Sequence, residues 1–209
     1  MGVKIIEDTC YSYNKYKNAI INVYMDERLE PYYYPVLKEF LLSLCVHDTK
    51  VVSVYENKNK SGIHANLKNI YAGEGALQDL IIVPKSYSYD HPQKPYVTIE
   101  AKRPNIDIKD KIIIRYNKIK VKNHEGQLIE QFKRTNYIVF TDCITWYLLS
   151  NKDENIKVEK EICLIESLGE NWIWKSEGHN FSNEYKDDPS VWKYLKIYLK
   201  NFIEQSKDV

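Results

Sequence analysis

Two short apolar runs with charged ends constrain this sequence most. Leu77–Val83 is apolar apart from Gln78 and Asp79, and Pro95–Lys102 carries Tyr96, Val97 and Ile99 before ending on Glu100-Ala101-Lys102. Both have the length of a strand. The segment between them, Pro84–Lys94, is rich in Pro, Ser, Tyr and Asp and reads as a hairpin loop. Strand side chains alternate, so Glu100 and Lys102 share one face with Tyr96 and Thr98, and Val97, Ile99 and Ala101 share the other. If the two runs pair as neighbours, Asp79 meets Glu100 and Lys102 at one sheet edge.

The surrounding pattern supplies helices to cover such a sheet. A helix is expected near Tyr16–Met25. Within Pro31–Cys45, the residues Val36, Leu37, Phe40, Leu41 and Leu44 recur at helical spacing. Val51–Tyr55 reads as a short strand and Asn57–Ser61 as a polar loop. Asn123–Arg134 reads as a helix with Leu128, Ile129 and Phe132 on one face. Tyr137–Phe140 and Ile144–Leu149 read as strands around Thr141-Asp142-Cys143, a turn in which Asp142 serves local hydrogen bonding. Pro189–Gln205 is a further helix with Val191, Trp192, Leu195, Tyr198, Leu199 and Phe202 on one stripe, which is expected to pack on the core. This order predicts an α/β fold, a mixed β-sheet flanked by helices with a C-terminal helical extension. Residues 1–150 form the core with its N-terminal helices, and 151–209 form a strand/helix extension of the same domain.

Composition narrows the function classes. The 209 residues include 30 Lys+Arg and 29 Asp+Glu, so any basic footprint is local rather than global. The local excess is clearest in Lys102–Lys122, which holds eight basic and two acidic side chains. That stretch reads either as a phosphate-contacting surface, with Arg103, Lys109 and Lys111 nearest the triplet, or as a solvated lysine-rich loop. No run of apolar residues is long enough to span a membrane, and the first 25 residues contain no secretory signal. Cys10, Cys45, Cys143 and Cys163 lie far apart with apolar flanks, as expected for reduced thiols of a cytoplasmic protein. The five histidines are scattered singly without zinc-ligand spacing. No Gly-x-x-x-x-Gly-Lys loop is present, so the chain carries no ATP-driven motor of its own.

Asp79 and Glu100, together with the backbone carbonyl of Ala101, form an oxygen donor set suited to a hard cation such as Mg²⁺. Such a cation neutralises charge on a phosphodiester and lowers the pKa of a bound water. An ammonium at Lys102 is placed to orient that water. Without a cation, the two carboxylates repel each other unless one is protonated.

These residues resemble the PD-(D/E)xK nuclease superfamily, whose signature is an acidic residue at the start of one strand and an acidic-x-Lys triplet on the next. Gln78 stands here where the signature has proline. Glu130-Gln-Phe-Lys-Arg134, then Tyr137-Ile-Val-Phe-Thr-Asp142, is similar to the "EQLxRY…NLILTD" run of restriction endonuclease domains. The likeness is greatest to the nuclease of type ISP restriction–modification enzymes, with type I restriction subunits more distant. Thr135-Asn136 stand where that family has Tyr and a longer linker. Glu30-Pro-Tyr-Tyr-Tyr-Pro-Val-Leu-Lys38 resembles the family's "EHTYRPALK". The likeness covers roughly Glu30–Leu149.

The resemblance implies a restriction-endonuclease-like core and a Mg²⁺-dependent (or Mn²⁺-dependent) endonuclease acting on double-stranded DNA in a restriction or related defence system. It implies a site made of Asp79, Glu100 and Lys102, with Gln131 facing it from a helix. Glu30 stands near the metal, or Glu39 if the helix register differs. Translocation, methylation and target recognition then come from further domains of a longer chain or from partner subunits, and a transient homodimer stays open. Two other readings remain beside it: an inactive nuclease-fold module that binds nucleic acid or a partner protein, and a related nuclease acting on RNA or branched DNA.

Overall fold

In the computed structural model, residues 11–26, 29–45, 48–54, 78–88, 91, 93–104, 112–115, 118–121, 128, 131–152, 155–168, 172–175 and 190–208 are described. The expected loop Asn57–Ser61 and Lys109 and Lys111 lie outside them.

The helices begin where side chains can cap them. The Ser12 hydroxyl accepts from the Lys15 N–H at 3.2 Å and starts α1 (Tyr13–Met25), three residues before the expected Tyr16. Ser190 does the same for the C-terminal helix α3 (Val191–Ser206), accepting from the Lys193 N–H at 3.2 Å. The single helix expected over Pro31–Cys45 is instead a 3₁₀ turn, Glu30–Tyr33, followed by α2 (Tyr34–Leu44). Pro35 is the cause. It has no N–H to give the carbonyl four residues back, so the chain tightens and the Tyr34 N–H bonds to the Pro31 carbonyl.

Among the described residues, ten strands follow the order β1 (Thr49–Ser53), β2 (Leu80–Pro84), β3 (Val97–Ala101), β4 (Ile112–Arg115), β5 (Lys118–Val121), β6 (Tyr137–Thr141), β7 (Thr145–Lys152), β8 (Asn155–Cys163), β9 (Ile165–Leu168) and β10 (Trp172–Trp174). Six form one sheet in the order β1-β2-β3-β6-β7-β8. All its pairings are antiparallel except β3 with β6. A parallel pair needs a crossover between its strands. The described part of that crossover includes the separate β4–β5 hairpin and helical residues Leu128, Gln131 and Phe132. Within Lys102–Lys122, Ile112–Arg115 and Lys118–Val121 pair as strands rather than loop, and residues 105–111, 116, 117 and 122 lie outside the described residues. The sheet also continues past residue 150, because β7 runs to Lys152 and pairs along its length with β8.

Helices α1, α2 and α3 share one core with a single face of the sheet. Leu37, Phe40 and Leu41 of α2 meet Tyr16 and Ile20 of α1, Trp192, Leu195 and Leu199 of α3, and Val97, Ile99 and Ala101 of β3. The Phe40 ring lies 4.7 Å from Trp192 and 5.6 Å from Trp146, centroid to centroid. The expected stripe of α3 is the buried one, with Ile203 added and Tyr198 only partly covered. Leu128 and Phe132 cover the opposite face over Ile138, Phe140, Tyr147 and Leu149. Cys45, Cys143 and Cys163 are free thiols, while Cys10 lies outside the described residues. Among the described residues, no helix is long and apolar enough to cross a membrane.

Candidate active site

The antiparallel pairing of β2 with β3 sets Leu80 opposite Ile99, so Asp79, just before β2, lies beside the end of β3. Its backbone N–H donates to the Ile99 carbonyl at 3.2 Å, and its own carbonyl accepts from the Val54 N–H at 3.0 Å. These bonds extend the ladder one residue past the strand and fix where the carboxylate starts. Asp79 Oδ2 then accepts the Ala101 N–H at 2.9 Å.

Alternation along β3 sends Glu100 to the face opposite the three helices. The charged end of the strand is not an exposed sheet face. Glu100, Asp79 and Lys102 are 1%, 4% and 7% exposed. A weak surface ion pair is therefore the wrong description of them. Lys102 Nζ pairs with Glu100 Oε1 and donates to the Ala101 carbonyl at 3.2 Å. Gln131, on the helical segment before β6, donates from Nε2 to Glu100 Oε2 at 2.7 Å. Glu30 reaches the cluster from the 3₁₀ turn, with Oε1 3.6 Å from Lys102 Nζ.

The β6–β7 turn holds Lys102 from behind. Its backbone N–H donates to the Thr141 carbonyl at 2.7 Å, and the Cys143 thiol contacts its carbonyl at 3.9 Å. Asp142 Oδ1 accepts the N–H groups of Ile144 and Thr145 at 3.1 and 2.6 Å, the local role its position suggests. This turn carries Cys143 at φ 71°, in the left-handed region.

The sequence reading omits Tyr34. Its hydroxyl lies 2.6 Å from Asp79 Oδ1 and 3.0 Å from Glu30 Oε1. The available signal is its place one helical turn after Glu30, hidden by a chain with 18 tyrosines. Glu39, the alternative to Glu30, lies elsewhere. It is 55% exposed on α2 and pairs with Lys15. Arg103 is exposed one residue beyond Lys102.

Three carboxyl groups thus surround the Lys102 ammonium, and the electrostatics follow. Burial pushes the Asp79 carboxyl up to about 7, and the Glu100 charge adds to this. The hydrogen bonds from Tyr34 and Ala101 and the charge of Lys102 offset only part of it. For Lys102, burial works against the charged form, but Glu100, Glu30 and Asp79 outweigh it and hold the ammonium above the ordinary lysine value. Burial, then Asp79 and Glu30, push the Tyr34 phenol up, so it remains a donor.

The donor set fits a hard divalent cation. Asp79, Glu100 and the Ala101 carbonyl offer oxygens only. The raised pKa of Asp79 marks negative charge that the surroundings leave partly uncompensated. Gln131 Oε1 is a further buried acceptor with no hydrogen-bond partner. Lys102 already contacts two of the named oxygens, Glu100 Oε1 and Ala101 O, and each has a second lone pair. Among the described residues, no group of three or more His, Cys, Asp or Glu side chains is arranged to hold a metal ion. The set here is two carboxylates and a carbonyl.

No protein-family model matches this sequence, and no curated protein or solved structure matches it.

Proposed function

We propose that this chain is a metal-dependent DNA endonuclease with a PD-(D/E)xK, restriction-endonuclease-like core, acting in a restriction–modification or related defence system. One observation carries the reading. Glu30, Asp79, the Glu100-Ala101-Lys102 triplet and Gln131 come from four separate stretches and converge on one mostly buried cluster. Chance acidic-x-Lys triplets on an exposed strand have no reason to gather such partners.

Asp79, Glu100 and the Ala101 carbonyl would hold Mg²⁺ or Mn²⁺, which when bound neutralises charge on the phosphodiester and acidifies a coordinated water. Lys102, kept protonated by its acidic neighbours, orients the attacking water and stabilises the hydroxide charge. Gln131 fixes Glu100, and Glu30 steadies the ammonium from the other side. The backbone clamp from Thr141 and Cys143 sets the Lys102 main chain. Double-stranded DNA is the proposed substrate, with the basic residues after Lys102 on its phosphates. Motor, methyltransferase and specificity functions belong to other domains or subunits.

The test is cleavage of end-labelled duplex, branched DNA and RNA by the wild type and Asp79→Ala in Mg²⁺. Duplex cleavage reduced by at least about a hundredfold in the variant is expected. Equal duplex cleavage by a folded Asp79→Ala protein contradicts the proposal, and cleavage of RNA alone moves the substrate class. One observation favours a second reading, the inactive binding module: Lys102 already neutralises Glu100. Absence of any Mg²⁺ or Mn²⁺ binding in calorimetry supports that alternative.

A further inference from the structure

Tyr34 stands between two carboxylates and is not among the residues that the resemblance assigns to the site. The ring is buried in the helical core, so the fold sets the position of its hydroxyl. From there it reaches Asp79 Oδ1 at 2.6 Å and Glu30 Oε1 at 3.0 Å. Asp79 in turn receives the Ala101 N–H on its other oxygen. The hydroxyl thus lies within reach of an acceptor on the turn before α2 and of one beside the end of β3.

A phenol has one proton and donates to one carboxylate at a time. The torsion that turns a carboxylate about its own axis is broad, so Asp79 needs partners on both oxygens to hold one orientation. Ala101 supplies one partner and Tyr34 the other. A cation can take the second lone pair of Asp79 Oδ1 while the hydroxyl stays in place, and Glu30 offers the hydroxyl a second acceptor within reach, so no buried donor is stranded.

We propose that Tyr34 is a positioning residue of the cleavage centre, which orients the Asp79 carboxylate and sets the affinity of the centre for a divalent cation, with Glu30 as its alternative acceptor. This inference rests on the nuclease reading above. Partners of metal-ligating side chains act in this way, and their loss typically costs ten- to a hundredfold in metal affinity.

The experiment is calorimetric titration of Mn²⁺ into the full chain without DNA, for the wild type, Tyr34→Phe, Glu30→Gln and Glu30→Ala. Tyr34→Phe removes only the hydroxyl and is expected to raise the Mn²⁺ Kd by roughly tenfold or more. The Mg²⁺ concentration for half-maximal cleavage rises in parallel. A merely structural hydroxyl lowers the urea midpoint and leaves the Kd in place, and that result overturns the inference alone. The Glu30 pair gives a check independent of how Tyr34→Phe folds. Both variants lose the charge, but glutamine keeps a carbonyl acceptor for the hydroxyl, so Glu30→Gln is expected to bind Mn²⁺ more tightly than Glu30→Ala. Equal losses in the two contradict the proposed link. A wild type that binds no Mn²⁺ overturns the nuclease reading and this inference with it.

Discussion

Asp79 enters the protein interior beside another carboxylate, and its protonation is coupled to folding. Its folded pKa of about 7 lies above the ordinary 3.8, so the native state binds this proton more tightly than the unfolded chain does. Stability from this group is then highest below about pH 4, falls as pH rises to about 7, and is level beyond that. Lys102 follows the same sign at higher pH. Its raised pKa contributes stability that is fully present below the ordinary value of 10.5 and is lost as pH rises through the folded value. Asparagine at position 79 keeps an oxygen for the Ala101 N–H and an amide to donate to Tyr34, without the charge. In EDTA, urea unfolding of Asp79→Asn is expected to show a flatter pH dependence between pH 5 and 8 than the wild type. The variant should be more stable at pH 8 by about 1–3 kcal/mol. Parallel curves for the two proteins would mean that Asp79 is already ionised at no cost. Strand alternation and pairing bring Asp79, Glu100 and Lys102 together on the sequence alone, whereas Gln131 and Glu30 were legible only through the family resemblance. Tyr34 was legible through neither, because its role depends on how far the α2 axis stands from β2, which no local pattern encodes.

At the level of elements, apolar period was a sound guide wherever an element is wide and buried on one face. Of the expected α2 stripe, Leu37, Phe40, Leu41 and Leu44 are inside and Val36 is partly buried, and the α3 stripe is inside apart from the partly buried Tyr198. Boundaries moved where backbone chemistry rather than hydrophobicity decides, as at Pro35, which turns the first part of a predicted helix into a 3₁₀ turn. That turn places the Tyr34 hydroxyl within reach of both the Glu30 and the Asp79 carboxylates. β8 had no bounds within the expected strand/helix extension, because Asn155–Cys163 mixes charged with apolar residues and shows as a strand only once β7 pairs with it. Phe40 is the side chain on which all three helices meet, in ring contact with Tyr16 and Trp192. Phe40→Ala is expected to cost about 3–5 kcal/mol in urea unfolding. A loss below about 1 kcal/mol would show that the helical layer does not depend on this junction.

Across the molecule, the sheet is a partition with a helical core on one side and a smaller apolar cluster on the other. The cluster of charges sits at the end of β3, which has an antiparallel neighbour in β2 and a parallel one in β6. There β2 delivers Asp79, the turn before α2 delivers Glu30, the segment before β6 delivers Gln131, and the β6–β7 turn backs Lys102. Such a centre is built by the whole fold, so variants in it report on chemistry only if the fold is shown to persist. The most direct test is nicking of supercoiled plasmid DNA by the wild type and a folded Lys102→Ala protein, each in Mg²⁺, Mn²⁺ and EDTA. The account predicts metal-dependent nicking by the wild type that EDTA abolishes and that falls at least about a hundredfold in Lys102→Ala. Nicking by Lys102→Ala at the wild-type rate, or nicking that survives EDTA, would contradict it.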